Sequence, residues 1–189
     1  MKTNEPITLT RDCPATEIPS GRPHVLAAGS VVRMTQALGG SYTVMTNSGY
    51  MVRVDSKDAD ALGISNDAAD TAPSAPVEFS EKLVWDELKT VYDPEIPVNV
   101  VDLGLIYGCE IKPEADGNNI DVKMTMTAPG CGMGDILKSD IHRKLSKIPT
   151  VKDVQVELVL DPPWNPGRMS EAAKLQLGLD LEATSFPMY

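Results

Sequence analysis

A stretch of small, polar and proline-containing residues divides this chain into two parts. Residues 66–76 read Asn-Asp-Ala-Ala-Asp-Thr-Ala-Pro-Ser-Ala-Pro, and such a run has nothing large to bury, which is typical of a linker. The remaining length of a 189-residue chain suits two small modules better than one large domain. We expect modules over residues 1–65 and 77–180, a flexible linker over 66–76 and a tail over 181–189.

The first module alternates short apolar runs with turn residues. The runs cover residues 7–9, 25–26, 30–34, 42–46 and 50–54. Gly39-Gly40 and Asn47-Ser48-Gly49 separate the later runs, and both are typical hairpin connections. The pattern predicts a small all-β module with a barrel-like sheet, in which residues 56–62 form one or two helical turns.

The second module mixes helical and strand patterns. Ser80 can cap a helix over residues 81–92, which Pro94 stops. Alternating residues at 105–111 and 120–126 predict a hairpin that turns at Asp116-Gly117. A helix with Leu137, Ile141, Leu145 and Ile148 on one face, a strand over 154–160 and a Ser170-capped helix over 171–177 follow. The fold class is α+β, with one small mixed sheet in the order helix, strand, strand, helix, strand, helix.

Charge and composition exclude several classes of function. Seventeen Lys and Arg stand against 27 Asp and Glu, a net charge of -10, which disfavours nucleic acid and anionic membranes as partners. The N-terminal residues lack the apolar run of a signal peptide, and no stretch approaches the roughly 20 apolar residues of a membrane helix. We therefore expect a cytoplasmic protein.

The cysteines do not form a metal site of the usual kind. There are three, Cys13, Cys109 and Cys131, at wide spacing, unlike the dense, even set of a secreted disulfide scaffold. No Cys-x-x-Cys or His-x-x-x-His pair is present, so a self-contained zinc or iron-sulfur site lacks its usual ligands. Cys109 lies on the same predicted strand face as Leu105, Tyr107 and Ile111 and is expected in the core. Cys13, next to Pro14, lies in an extended segment.

The strongest local signal is the segment 127–134, Thr-Ala-Pro-Gly-Cys-Gly-Met-Gly, between a predicted strand and a predicted helix. Unpaired N–H groups and the positive end of the dipole at a helix start favour a thiolate at Cys131. Flanking glycines leave its sulfur unshielded and permit close backbone approach. The same pattern also fits a plain glycine-rich turn whose cysteine is buried as a small apolar residue.

The second signal is the segment 93–104, Asp-Pro-Glu-Ile-Pro-Val-Asn-Val-Val-Asp-Leu-Gly. Its prolines stiffen the backbone, and Asp93, Glu95 and Asp102 are candidate hard ligands or proton acceptors. Turn chemistry is the alternative: Asp93 precedes a proline, and Asp102 can bond to the backbone of the Leu-Gly turn. Glu95 has no common turn role, so this explanation does not cover it.

The third signal is the segment 161–170, Asp-Pro-Pro-Trp-Asn-Pro-Gly-Arg-Met-Ser. Its prolines make a rigid strap, and Trp164 either covers a site or partner surface or seals the core. His24 and His142 have no sequence neighbour that suggests a pair with Cys131. A cysteine hydrolase is therefore poorly supported.

Taken together, these segments resemble the small domain of the SufT family and of the related metal-sulfur cluster biosynthesis and PaaD-like accessory proteins. The resemblance covers about residues 79–179. The matching residues are Asp93-Pro94-Glu95-Ile96 with Asp102-Leu103-Gly104-Leu105-Ile106-Tyr107, Met126-Thr127-Ala128-Pro129-Gly130-Cys131, and Asp161-Pro162-Pro163-Trp164 with Met169-Ser170. The N-terminal residues 11–15 and 58–63 are similar to an extension of SufT itself rather than to its single-domain relatives.

The resemblance implies an α+β domain and a non-enzymatic, accessory role in maturing iron-sulfur proteins. It implies Cys131 as the functional cysteine, with Glu95 as a second motif residue near it. Both are iron-ligand candidates, and Asp93, Pro94, Asp102, Thr127, Pro129, Gly130 and Trp164 are motif-associated. The cargo would be a transient iron-sulfur cluster or iron, and the partners would be client apoproteins and scaffold or carrier proteins.

One exposed thiolate cannot enclose a cluster, but two of them across a homodimer, or one with a client cysteine, could hold it transiently. Two alternatives stay open. The first is a metal-free adaptor that binds client and scaffold through Trp164 and the proline strap. The second is a cysteine-dependent thiol transferase.

Overall fold

The structure is a computed structural model and describes residues 5–65, 78–128 and 132–179. The predicted linker at 66–76, the tail at 181–189, and Pro129, Gly130 and Cys131 lie outside the described residues. The described residues form two compact units. The first contains residues 5–65 together with Tyr92–Pro97 and residues 132–136, and the second contains Phe79–Val91, residues 98–128 and residues 137–179.

The first unit is built on a six-stranded antiparallel sheet. Its strands are β1 (Pro6–Thr8), β2 (Cys13–Ile18), β3 (Pro23–Leu26), β4 (Val31–Leu38), β5 (Ser41–Thr46) and β6 (Met51–Asp55), in the order β1-β4-β5-β6-β2-β3. The sheet is open at β1 and β3, so the expected barrel-like closure is not found among the described residues. Both edge strands are short and begin with a proline, which cannot donate to a further ladder.

Alternation along the strands builds the core of the first unit. Inward residues of several strands are almost completely buried, and with Leu62 of the 3-10 helix Ser56–Leu62 they form one apolar cluster. The members from the strands include Cys13, Leu26, Val32, Met34, Val44, Val52 and Val54. Gly63, with a φ of 70°, ends the 3-10 helix, a position where glycine avoids the strain of left-handed backbone. The all-β character of this part of the chain therefore follows the sequence pattern.

The second unit has the element order expected from sequence. Its elements are α1 (Glu81–Leu88), β7 (Ile106–Glu114), β8 (Gly117–Met124), α2 (Gly134–Leu145), β9 (Val151–Leu158) and α3 (Glu171–Gln176), of which α2 starts in the first unit. β7 and β8 pair antiparallel around a two-residue turn, and β9 pairs with β8 in parallel. The sheet is therefore mixed and three-stranded, in the order β7-β8-β9.

The helices begin and end for local reasons. The Ser80 hydroxyl accepts the N–H of Leu83 at 3.2 Å and starts α1. The helix ends at Leu88, earlier than the predicted Tyr92, because the Val91 carbonyl accepts the N–H of Val100 in an extended pairing. The predicted inward residues around α2 are buried: Leu137, Ile141, Leu145 and Ile148. None of the helices described is long and apolar enough to span a bilayer.

Candidate functional site

The loop Tyr92–Pro97 is organised by one buried carboxylate. Asp93 is 3% exposed, and its Oδ1 accepts the N–H groups of Glu95 at 2.8 Å and Ile96 at 2.9 Å. Burial raises the pKa of Asp93, and the two N–H groups oppose that rise. Asp93 therefore has the turn role considered from sequence, and the turn leaves the Glu95 side chain exposed.

Two strand residues hold this loop by its backbone. The Gln36 amide donates from Nε2 to the Asp93 carbonyl at 2.9 Å, and the Thr43 hydroxyl donates to the Pro94 carbonyl at 3.1 Å. Gln36 and Thr43 are register partners in β4 and β5, and Thr43 is buried. Sequence reasoning missed both residues. Polar residues on the strand face away from the apolar core are ordinary, and nothing in the sequence distinguishes this pair.

The Glu95 carboxylate is the unused group of the loop. It has no hydrogen bond or ion pair to any residue that the structure describes. Partial burial raises its pKa, and the negative charge of Asp93 adds to the rise. An exposed carboxylate on a fixed backbone is a suitable iron ligand or proton acceptor. The turn explanation of the segment therefore accounts for Asp93 and leaves Glu95 free for chemistry.

The residue after Cys131 makes an unusually close backbone contact. Gly132 donates its N–H to the Pro19 carbonyl at 3.2 Å, and a Cβ built on Gly132 would lie 2.0 Å from the Ser20 carbonyl oxygen. On the other side, Gly21 has a φ of 70°, and a Cβ there would lie 2.2 Å from the Gly132 oxygen. Only glycine fits at these two positions. The close approach expected at the glycines around Cys131 is thus made, at Gly132, by this chain's own turn Pro19–Gly21.

One described cysteine is buried and the other is half-buried. Cys13 is 0% exposed, and burial raises its pKa. Cys109 is half-buried on β7, where burial first and Glu81 second raise its pKa to about 11. The raised pKa values favour the protonated thiol over the thiolate at both positions. Within the described ranges there is also no group of three or more His, Cys, Asp or Glu that could hold a metal ion.

Asp102 belongs to a turn in the second unit. Its carboxylate accepts from the Asn99 side-chain amide at 2.6 Å, and Asn99 Oδ1 accepts the N–H groups of Val101 and Asp102. Turn chemistry was the alternative considered for Asp102, and the partner of its carboxylate is Asn99 rather than the Leu-Gly backbone. Sequence reasoning overlooked Asn99, whose signal was that Asn side chains commonly bond the backbone two residues on. Thr127 is half-buried in the same unit.

The proline strap, residues 161–170, is fastened within the second unit. Trp164 is half-buried, and its indole N–H donates to the Leu103 carbonyl at 2.8 Å. The Arg168 guanidinium lies 3.9 Å from the centre of the Tyr107 ring, whose hydroxyl donates to the Pro162 carbonyl at 2.9 Å. The indole N–H of Trp164 is therefore bonded inside the second unit. This favours the role of Trp164 in sealing the core over a role at an interface.

Comparison with known proteins identifies the family. Residues 81–158 match the profile of the iron-sulfur cluster assembly protein family. A relative from Porphyromonas gingivalis, an Fe-S protein maturation auxiliary factor, is 50% identical over 91 residues, which are 48% of this chain and 84% of the relative. The chain belongs to this family. The auxiliary factor YitW of Bacillus subtilis is 38% identical over 102 residues, 54% of this chain and 97% of the relative.

A third relative corrects one expectation about this family member. The auxiliary factor SufT of Staphylococcus aureus is 37% identical over 89 residues, which are 47% of this chain and 98% of that protein. A SufT-type protein is therefore confirmed. However, 89 residues already cover nearly all of this SufT, which leaves no room for an N-terminal extension. The expectation that residues 11–15 and 58–63 mark an extension of SufT is wrong for this relative.

Proposed function

We propose that this protein is an accessory factor for the maturation of iron-sulfur proteins, with Cys131 as its functional thiolate. The support is membership in the cluster assembly family and the auxiliary-factor names of the relatives. The protein binds client apoproteins and a scaffold or carrier. It acts in the cytoplasm without catalysing a reaction of its own, and residues 77–180 form the assembly domain that carries this work.

The observation that carries the proposal is the state of the other cysteines. Cys13 is sealed in an apolar core, and Cys109 has a pKa of about 11. Neither supplies a thiolate at neutral pH, and iron binds the thiolate. We therefore propose Cys131 as the cysteine of this chain that contacts iron.

One thiolate from this chain holds its cargo only in part. A bound [2Fe-2S] or [4Fe-4S] cluster usually takes about four cysteine ligands, so the remaining cysteine ligands come from outside the chain. A second copy in a homodimer or a cysteine of the client would supply them. Glu95 adds a hard, exposed oxygen ligand. Incomplete ligation suits a factor that must release its cargo.

The test is anaerobic reconstitution of the purified protein with iron and sulfide. We expect sulfur-to-iron charge-transfer absorption in the wild type and its loss in Cys131→Ser. The matched control is Cys109→Ser, which replaces a half-buried thiol of high pKa and should keep the absorption. Equal absorption in wild type and Cys131→Ser would remove Cys131 from the cargo site.

The adaptor and transferase alternatives give different outcomes. A colourless wild type that still restores activity to a client apoprotein indicates an adaptor without metal. In that case Cys131→Ser should also support maturation. A thiol transferase requires rapid alkylation of Cys131 at pH 6 together with turnover of a thiol or disulfide substrate. Without turnover, that alternative fails.

A further inference from the structure

The geometry points to the outer edge of β9 as a docking site for an extended segment of a partner protein in which basic and apolar side chains alternate. The segment adds a fourth strand to the sheet of the second unit. This inference rests on the proposed function, which requires partner proteins, and it assigns a surface that binds one of them. All residues of this edge lie within the second unit.

The edge strands among the described residues differ in how they resist a further strand. A free edge exposes unpaired N–H and C=O groups, and short length, proline, lysine and bulges commonly block it. The strands β1 and β3 have three and four residues and begin with a proline. In β7 the register shifts between Ile106 and Gly108, and Lys112 and Pro113 lie near the other end. Each of these three edges therefore carries a feature that discourages strand addition.

The strand β9 lacks such features over most of its length. Its register shift lies opposite Asn118 and Asn119 at the start of the strand, and its one lysine, Lys152, lies at the same end. From Asp153 to Leu158 the strand is regular and contains neither proline nor lysine. It pairs with β8 on one side, and no described strand lies on the other. This edge is therefore open to a partner.

The backbone groups on the open side follow from the pairing with β8. The Val159 N–H donates to the Met124 carbonyl at 2.8 Å and continues the parallel ladder between the two strands. Alternate residues of a strand bond to opposite neighbours, so the odd-numbered residues of this stretch bond to β8. The N–H and C=O groups of Val154, Val156 and Leu158 point to the open side. Among the described residues, nothing bonds to these groups.

The side chains along this edge determine which kind of strand can be added. Asp153 and Glu157 are exposed on one face of β9 with Gln155 between them, and they form an acidic row. On the other face, Leu158 is 36% exposed, and Leu160 just beyond the strand is 55% exposed. Opposite charges and apolar pairs stabilise neighbouring strands. A strand with Lys or Arg on one face and apolar residues on the other therefore complements both faces of the edge.

A second copy of this chain is a poorer occupant of the edge. Antiparallel pairing of two β9 strands would place two acidic rows of Asp153 and Glu157 side by side on one face of the joined sheet. Like charges on adjacent strands destabilise their pairing. The chain also has a net charge of -10, which opposes self-association and favours basic partners.

A short peptide in which lysine and valine alternate is the probe for the full-length protein. The readout is amide hydrogen exchange measured residue by residue by NMR. At a peptide concentration about ten times its Kd, exchange at Val156 and Leu158 should slow about tenfold, because bound peptide covers their N–H groups. Exchange at Gln155 and Glu157, whose N–H groups already bond to β8, should not change. A peptide held by charge alone would not produce this alternation and would overturn the proposal.

Charge reversal tests the acidic row. The double variant Asp153→Lys with Glu157→Lys should weaken binding of the peptide about tenfold or more, because favourable cross-strand pairs become like-charge pairs. It should instead bind a peptide in which glutamate replaces lysine. The matched control is Glu110→Lys with Glu114→Lys, which reverses two exposed carboxylates at the same spacing on the opposite edge strand β7. The control should bind the lysine peptide with the wild-type Kd.

A second test leaves the protein unchanged. One form of the peptide is N-methylated at its valine amides and another at its lysine amides, so each form lacks the N–H donors of one edge. The valine form should lose binding if the added strand is antiparallel to β9, and the lysine form if it is parallel. Undiminished binding of both forms would overturn strand addition.

The remaining outcomes separate the possible occupants and the two proposals. Exchange at Val156 and Leu158 that slows with rising protein concentration in the absence of peptide would assign the edge to a second copy. Equal loss of peptide binding in the two double variants would overturn the role of the acidic row. None of these measurements uses iron, so the two proposals can fail separately. Peptide binding without any sulfur-to-iron absorption after reconstitution would refute the proposed cargo role alone, and absorption without peptide binding would refute the docking edge alone.

Discussion

The proline strap, residues 161–170, and the Asp93 loop, Tyr92–Pro97, are both stiff, proline-containing segments. Their polar groups, however, make different contacts. In the strap, side chains make contacts within the second unit: Trp164 donates to the Leu103 carbonyl, and Arg168 lies over the Tyr107 ring. In the Asp93 loop, contacts from Asp93, Gln36 and Thr43 fix the backbone, while the Glu95 carboxylate stays exposed. The comparison teaches that a motif residue is structural when its polar group bonds to other residues of the protein. A motif residue is a candidate for function when its backbone is fixed and its polar side chain makes no such bond.

The strap should be the more sensitive of the two regions to a change in shape. Gly104 has a φ of 70°, and a Cβ there would lie 2.3 Å from the Arg168 carbonyl oxygen. We expect Gly104→Ala to lower the free energy of unfolding of the second unit by about 3 kcal/mol, through backbone strain and overpacking. Urea denaturation followed by tryptophan fluorescence measures this, because Trp85 and Trp164 both lie in that unit.

Gly178→Ala is the control for Gly104→Ala. Gly178 has a φ of 69° with nothing within 4 Å, so this variant should cost only about 1 kcal/mol of conformational strain. Equal losses in the two variants would mean that the strap does not press on Gly104. The strap would then not be more sensitive to a change in shape than the Asp93 loop.

Trp164→Phe tests the internal use of the indole. It removes the donor to the Leu103 carbonyl and should lower the free energy of unfolding by about 1.5 kcal/mol, a typical cost for an unpaired carbonyl. Urea denaturation monitored through Trp85 gives the value. Client binding should be retained in a co-purification assay. A stable variant that no longer binds clients would reassign Trp164 to an interface.

Asp93→Asn tests whether the Asp93 loop depends on charge. The raised pKa of Asp93 means that the folded state binds a proton more tightly than the unfolded state. The contribution of this group to stability is therefore full below the ordinary pKa of 3.8 and is lost as pH rises through the folded pKa. Asparagine keeps an oxygen acceptor for both N–H groups and cannot titrate.

The measurement for Asp93→Asn is urea denaturation at several pH values from 4 to 7, followed by circular dichroism. The difference between variant and wild type should shift in favour of the variant as pH rises. At pH 7 the variant should be at least as stable as the wild type. A variant less stable by about 1 kcal/mol or more at pH 7 would show that the hydrogen bonds need the negative charge.

Glu95→Gln should have the smallest effect on stability and a clear effect on function. Its carboxylate has no hydrogen bond or ion pair among the described residues, so the free energy of unfolding should change by less than about 0.5 kcal/mol. The intensity of sulfur-to-iron absorption after reconstitution should fall. A destabilised variant with unchanged absorption would show that Glu95 has a structural role, as Trp164 has in the strap.

Much of the local structure could be predicted from the sequence. Alternating apolar residues predicted strands of the first unit. The hydroxyls of Ser80 and Ser170 accept backbone N–H groups at the starts of α1 and α3, as expected of helix caps. Gly178, with a positive φ, follows the last helix. Errors arose where long-range pairing decided a boundary. The end of α1 at Leu88 depends on Val91 bonding to Val100, and β2 was expected only as an extended segment.

For the candidate site, the sequence by itself singled out the residues that we propose for chemistry. Glu95 was singled out because no turn role explains it, and Cys131 because of its glycine-rich setting before a helix. Both judgements depend on neighbouring residues, and neighbours are what a sequence shows.

Only the tertiary structure decided what holds the loops in place. Gln36 and Asp93 are 57 positions apart, Thr43 and Pro94 are 51 apart, and each bond ends on a backbone carbonyl. Gly132 and Pro19 meet through backbone atoms alone. Every residue has the same backbone groups, so a contact that ends on them leaves no pattern of side chains from which its partner could be predicted.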